Sequence, residues 1–298
     1  MTWRSCLFAV VAFCACLSIS HAQIYRWDNG QVIPGTEEIS LHPEVFLFEW
    51  DQENHNLRFG DFSGQLHGST FADCWLDSAR FVNASLVAAE LARTTLVNAD
   101  FTKADLTGAV FVDATLTDAV FEGALIKGLQ LYDGTSNGFT QDQLYSTASY
   151  KYKDLRNIRF DRNDFTNWNF SGQNLAKSFL LSDFTDADLS GANLSGSSFS
   201  DHRGHATLTN ADFTGAIVTE TGFAFATQFG FTEQQLYSTH SYQAKNLTGI
   251  VLNGNNLTNW NFSNQVLQKA ILSQSNLTNV NLEGADLTNG ACKEFCVT

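Results

Sequence analysis

The chain has 298 residues, 44% of them hydrophobic, which is enough apolar material for a sizeable core. Its formal net charge of −14 argues against nucleic acid as a partner, and an acidic surface otherwise indicates solubility without choosing a ligand. Only two prolines occur, Pro34 and Pro43, so the long proline-free remainder suits a continuous backbone ladder, where a residue lacking an N–H finds few places.

Residues 1–22 read as a secretory signal. Arg4 is followed by an apolar run from Cys6 to Leu17, and Ser20 and Ala22 supply small side chains for cleavage after Ala22. The run is too short for the roughly 20 residues that span a bilayer, and no later segment is long enough either. The expected location is therefore secreted, periplasmic or at the cell surface. Residues 23–56, with Trp27, Trp50 and many charges, are expected to cap the first coil of the repetitive region.

Residues 57–298 make up that repetitive region. A Leu or Phe recurs at every fifth position through Phe71, Leu76, Phe81, Leu86, Leu91, Leu96, Phe101, Leu106, Phe111, Leu116 and Phe121, and a small residue often sits two before it, as at Ala79, Ala99 and Ala119. The unit is A-[DN]-[LF]-x-x. Residues five apart are rotated by about 140° on an α-helix and lie on opposite faces of a straight strand, so neither element buries this pattern. The chain must turn once per repeat, with the small residue and the Leu or Phe inward. Stacked coils then form a parallel all-β solenoid at the usual strand spacing. The same reading places Leu189, Leu194, Phe213, Leu252, Leu257, Phe262, Leu277, Leu282 and Leu287 in the core. The Asp or Asn before the core residue and the Thr-Gly or Ser-Gly after it are residue types that suit corners.

A longer repeat overlies the short one. GFTQDQLYSTASY from Gly138 returns as GFTEQQLYSTHSY from Gly230, an offset of 92 residues, and FSGQ at Phe62 suggests a third, weaker copy. Thr140-x-x-Gln143 and Thr232-x-x-Gln235 have capping-box spacing, which predicts short helices within 139–151 and 231–243. Tyr145, Tyr150, Tyr237, Tyr242, Trp168 and Trp260 are read as packing staples, with an aromatic binding platform as the alternative. Trp168 and Trp260 fall where the repeat wants a small residue, so either the coil widens or the indole swings out beside the helix.

The series breaks at Asp201-His202-Arg203-Gly204-His205, where Phe199 to Leu208 spans nine positions instead of ten. We read a corner loop there; a small metal site through Asp201, His202 and His205 lacks a further ligand. Near the end, Cys292 and Cys296 have the spacing to close a small disulfide loop, and two free thiols are the alternative.

The runs Ala99–Gly108, Ala187–Gly196 and Ala211–Gly215 (ADFTKADLTG, ADLSGANLSG and ADFTG) closely resemble the pentapeptide-repeat family, and the module pattern resembles its secreted bacterial members. That resemblance implies a right-handed quadrilateral parallel β-helix with four repeats per coil, here nine or ten coils with short α-helical insertions. The sequence contains no nucleophile elbow, phosphate loop or zinc spacing, so no catalytic residue, metal or cofactor is nominated and the chain is not read as an enzyme. The expected function is a noncatalytic secreted scaffold or interaction rod for an unknown protein or cell-surface partner. Two alternatives rank lower. A nucleic-acid-mimic inhibitor conflicts with export, and a glycan-acting enzyme lacks a visible carboxylate constellation.

Overall fold

The computed structural model describes residues 23–47 and 56–291. The signal segment, Trp50, Cys292 and Cys296 lie outside the described residues.

One five-residue unit explains the ladder. The N–H of Asp100 donates to Ala79 in the coil below (2.9 Å), whereas those of Phe101 and Lys103 donate upward to Val120 and Glu122 (both 2.8 Å). Ala104 donates back to Phe101 across the turn (2.9 Å), and Thr102 donates to the Asp100 carboxylate (2.9 Å). All five donors are satisfied, as a buried backbone requires. The Asp or Asn of the motif thus sits on a flat side and holds the first N–H of the corner. The corner itself needs a left-handed residue two positions after the core residue, which is Lys103 here (φ 57°) and Gly108 in the next unit (φ 70°).

One side of the solenoid is unbroken. Parallel pairing runs through Phe46, Thr70, Glu90, Val110, Gln130, Arg159, Phe179, Ser198, Gly222, Val251, Ile271 and Ala291. These twelve rungs make a rod about 53 Å long at strand spacing. That exceeds nine or ten coils, partly because the segment before residue 57 contributes a rung of its own. Most steps are 20 residues, four repeats per coil. The middle rungs lengthen into strands β1 (Val110–Val112), β2 (Gln130–Tyr132), β3 (Arg159–Asp164) and β4 (Phe179–Asp183), in that order in one parallel sheet. At the start of the rod, Trp27 donates its indole N–H to Ser78 (2.6 Å) while Ile24, Ile33, Val45 and Leu47 are buried.

The interior consists of stacked columns. Phe62, Phe81, Phe101 and Phe121 lie nearly parallel with centroids 5.1, 4.9 and 5.2 Å apart. The expected core positions from Phe71 through Phe262 are buried. Three others are not: Leu277 and Leu282 are only partly buried, and Leu287 is 40% exposed. They occupy the last coil among the described residues, where no further described coil stacks on them, so their repeat position does not carry core burial.

The irregular steps hold the departures. Gln130 to Arg159 and Gly222 to Val251 each take 29 residues, and the additional chain forms α1 (Gln141–Ser146) with α2 (Ala148–Lys151), and α3 (Glu233–Ser238) with α4 (His240–Gln243). Both capping boxes are formed. Each capping Gln also reaches the coil below: Gln143 Nε2 donates to Leu116 and Ala119 (2.9 and 2.7 Å), and Gln235 does so to Leu208 and Ala211 (2.7 and 2.9 Å). Asp183 to Thr207 takes 24 residues. The break after Phe199 is therefore one repeat with four residues inserted, rather than two repeats with one missing. The insertion forms an antiparallel hairpin, β5 (Ser200–Asp201) and β6 (Gly204–His205).

The upstream FSGQ is not a third module. Gln173 and Gln265 are buried and cap the carbonyls of Tyr150 and Tyr242 (both 3.0 Å), whereas Gln65 is exposed, because Leu66 follows Phe62 by four positions where Leu175 and Leu267 follow Phe170 and Phe262 by five.

Candidate functional site

The aromatic groups beside the helices were the first candidate. Tyr145 and Tyr150 stack at 4.3 Å, as do Tyr237 and Tyr242. Their hydroxyls clamp one residue's backbone in the next coil. Asn169 N–H donates to Tyr145 Oη (2.5 Å) while Tyr150 Oη donates to the Asn169 carbonyl (2.8 Å). Tyr237 and Tyr242 hold Asn261 in the same way, with 2.6 Å to its carbonyl. The helices displace the chain segment that would otherwise pair there, and the phenols replace its peptide groups. Burial pushes the Tyr242 hydroxyl up to about 12, helped by Tyr237, and raises Tyr150 in the same sense. The indoles pack beside these phenols, Trp168 partly buried against Phe165 (4.7 Å) and Trp260 buried in the core between Phe231 and Phe262 (6.2 and 6.1 Å). The tyrosines are staples: their hydroxyls are already engaged by the backbone of the next coil.

The second candidate lies on the unbroken side. The β5–β6 hairpin folds back over the outward residues of β2, β3 and β4 and leaves a cleft of about 400 Å³ lined by Tyr132, Asp161, Arg162, Leu181, Arg203, Gly204 and His205. Strand alternation explains the set, since Tyr132, Asp161 and Leu181 are paired neighbours whose side chains share one face. Arg159 bridges Asp161 (3.0 Å) and Asp201 (3.1 Å), and Arg203 joins Asp201 (3.2 Å) to the Tyr132 hydroxyl (3.2 Å). Arg159 also lies over the Phe179 ring at 4.6 Å. Arg162 pairs with Asp133 and, at 3.8 Å, with Asp113.

Asp161 is the anomaly of this cleft. Its side chain is 5% exposed and its Oδ2 faces Arg159, yet Oδ1 has no hydrogen-bond partner. Burial pushes its carboxyl up, against the pull of Arg159. His205 stacks on Phe229 (4.8 Å), and its Nδ1 is likewise buried without a partner. Burial also raises the Tyr132 phenol, with Asp161 adding to it.

The metal candidates do not converge. Asp201 is engaged by two arginines, His202 is exposed and His205 is stacked. Among the described residues no group of three or more His, Cys, Asp and Glu is placed to hold a metal ion, and no helix is long and apolar enough to cross a membrane. Sequence reasoning marked the break at residues 201–205 but read a corner loop where the chain forms a hairpin, and it missed Tyr132, Arg159 and Asp161. The available signal was RFDRND at 159–164, a charged run where the repeat asks for A-[DN]-[LF]-x-x.

Known proteins share the repeat. The family model described as pentapeptide repeats matches in eight copies, over residues 65–102, 84–123, 164–201 and 256–289. No curated protein matches by sequence. Similar solved structures include HetL, a pentapeptide repeat protein involved in heterocyst differentiation regulation from the cyanobacterium Nostoc sp. strain PCC 7120, at 22% identity over 82% of this chain and 88% of that one, with a TM-score of 0.29. Full-length QnrB1, a plasmid-mediated fluoroquinolone resistance protein, is 17% identical over 72% of this chain and 92% of its own, with a TM-score of 0.23. Rfr23, a pentapeptide repeat protein from the cyanobacterium Cyanothece 51142, is 14% identical over 70% and 64%, with a TM-score of 0.12. With the five-residue unit, its complete hydrogen-bond pattern and the matched copies all in agreement, this chain belongs to the pentapeptide-repeat family.

Proposed function

We propose that the protein is a noncatalytic, exported scaffold, wound as a right-handed four-sided rod, whose outward side chains engage a protein or cell-surface partner. One observation carries the reading: the unbroken side runs through all twelve rungs, while the helices are set into the rod elsewhere. The abundant Asp, Asn, Ser and Thr side chains do not argue for catalysis, because many of them hold their own corners, as Asp105 holds Thr107 N–H (3.0 Å) and Asp212 holds Thr214 N–H (2.8 Å).

Crosslinking with mass spectrometry on native cells tests location and neighbours together. The expected result is a mature N-terminus at Gln23, an extracytoplasmic fraction, and crosslinks from this side to one recurrent protein or to the envelope. Recovery from the cytosol with residues 1–22 intact would remove the export reading, and recovery with no specific neighbour would remove the interaction rod.

A further inference from the structure

We propose that the cleft under the β5–β6 hairpin binds a small hydroxylated carboxylate, such as an acidic sugar, with the Asp161 side receiving its hydroxyl groups and Arg203 and Arg162 its carboxylate. This goes beyond the scaffold reading and stands or falls separately from it.

A buried carboxylate oxygen without a donor is unfavourable, and the neighbouring rung in the same column carries an ordinary Leu181. Packing alone therefore does not ask for Asp161. The hairpin that covers it is a four-residue insertion, held by Arg159–Asp201 and Arg203–Tyr132 contacts instead of by coil stacking.

The internal repeat supplies an independent control. At the offset of 92 residues Asn163, Thr135 and Trp168 reappear as Asn255, Thr227 and Trp260, but Arg159, Asp161 and Arg162 are replaced by Val251, Asn253 and Gly254, and Tyr132 by Ala224. Asn163 and Asn255 make matching bonds, to Leu131 (3.0 Å) and Phe223 (2.8 Å) and from the Thr135 and Thr227 N–H groups (3.1 and 2.8 Å). The fold accordingly needs the first set in both places, and it does without the second.

What remains is a recess of the size that small-molecule sites have. The Asp161 carboxylate is an acceptor with a vacant lone-pair position, so it calls for an O–H or N–H donor. Tyr132 and Leu181 provide the apolar wall. At the mouth, Arg203 uses Nε and Nη1 and Arg162 uses Nη2, leaving guanidinium N–H groups for a carboxylate. The three arginines are matched by Asp113, Asp133, Asp161 and Asp201, so it is the uncommitted guanidinium N–H groups of Arg203 and Arg162, and not a net positive charge, that would receive a carboxylate.

The test is calorimetric titration of the full mature chain with galacturonate, galactose and malate. Galacturonate should bind, galactose should bind at least about tenfold more weakly for want of the charged contact, and malate separates a free hydroxy acid from a sugar acid as the source. Arg203→Ala, in the exposed hairpin, and Asp161→Asn, which copies the second module, should each weaken galacturonate or malate binding by about tenfold or more while the rod stays folded by circular dichroism. If neither acid binds, or if both variants bind as the parent does, the proposal is wrong. Tighter binding of galactose than of galacturonate would overturn the assignment of the arginines.

Discussion

Residues 131–175 and 223–267 are two versions of one module, and their differences separate what the fold needs from what it merely tolerates. Both keep the capping Thr and Gln, the stacked tyrosine pair, the Trp beneath it, the buried Asn and the buried Gln. Each of these supports the helical excursion, and the polar ones satisfy backbone groups that it would otherwise leave without a partner. The corner column diverges. In the first module it is Asp113, Asp133 and Arg162, an ion-paired edge; in the second it is Phe225 and Gly254, while the position 92 residues after Asp113 is His205 of the β5–β6 hairpin. There Phe225 lies so close to Gly254 that a Cβ would approach its Cε1 to 2.2 Å. A solenoid corner thus accepts either charge or aromatic packing, provided that the backbone can take positive φ.

Substitutions made in parallel in the two modules probe this difference, and the largest effect is expected at the indoles. Trp260→Ala should cost about 3–5 kcal/mol, as truncating a buried aromatic does, and Trp168→Ala less, because Trp260 is 5% exposed whereas Trp168 is only partly buried. Urea unfolding of the two variants measures the difference; equal losses would mean that the modules carry their indoles alike. Gly138→Ala and Gly230→Ala come next. Each residue has positive φ (94° and 91°), and a Cβ would come within 2.4 Å of Thr117 Oγ1 or Thr209 Oγ1 and within 2.7 Å of the same threonine's backbone N. We expect about 2–3 kcal/mol from either, nearly equal in the two modules, by the same unfolding measurement. A variant at parental stability would show that the turn into the helix can relax.

The smallest effect is the pH dependence of the tyrosine clamps. The Tyr242 hydroxyl is held protonated to about 12, against 10.0 for an ordinary phenol. Between those values the unfolded chain has lost the proton and the folded chain has kept it. The clamp's contribution to stability is therefore complete below pH 10 and falls as pH rises toward 12. Tyrosinate absorbance should appear late in the folded protein, and Tyr242→Phe should flatten the alkaline loss. An unchanged alkaline profile in that variant would assign the loss elsewhere.

Legibility in the sequence followed locality. The period of five placed Phe71 through Phe121 inward, because a residue whose neighbours above and below are copies of itself has its environment written in the repeat. The same reasoning failed at Leu287, where no further described coil stacks and burial depends on position along the rod. It also misassigned FSGQ at Gln65: the motif has a role only beside a helical excursion, and this one lacks both the spacing and the contact.

By itself, then, the sequence determined the turn at every repeat, the inward columns and the two capped excursions, since each follows from contacts within a few residues or between identical units. Tertiary structure alone decided that a four-residue insertion would fold back as β5–β6 over the outward face, bringing Asp201 and Arg203 to Arg159, Asp161 and Tyr132. Those groups lie 42 and 71 residues apart in the pairs Arg159–Asp201 and Tyr132–Arg203. Their meeting depends on coil stacking and on strand alternation, which no local pattern records.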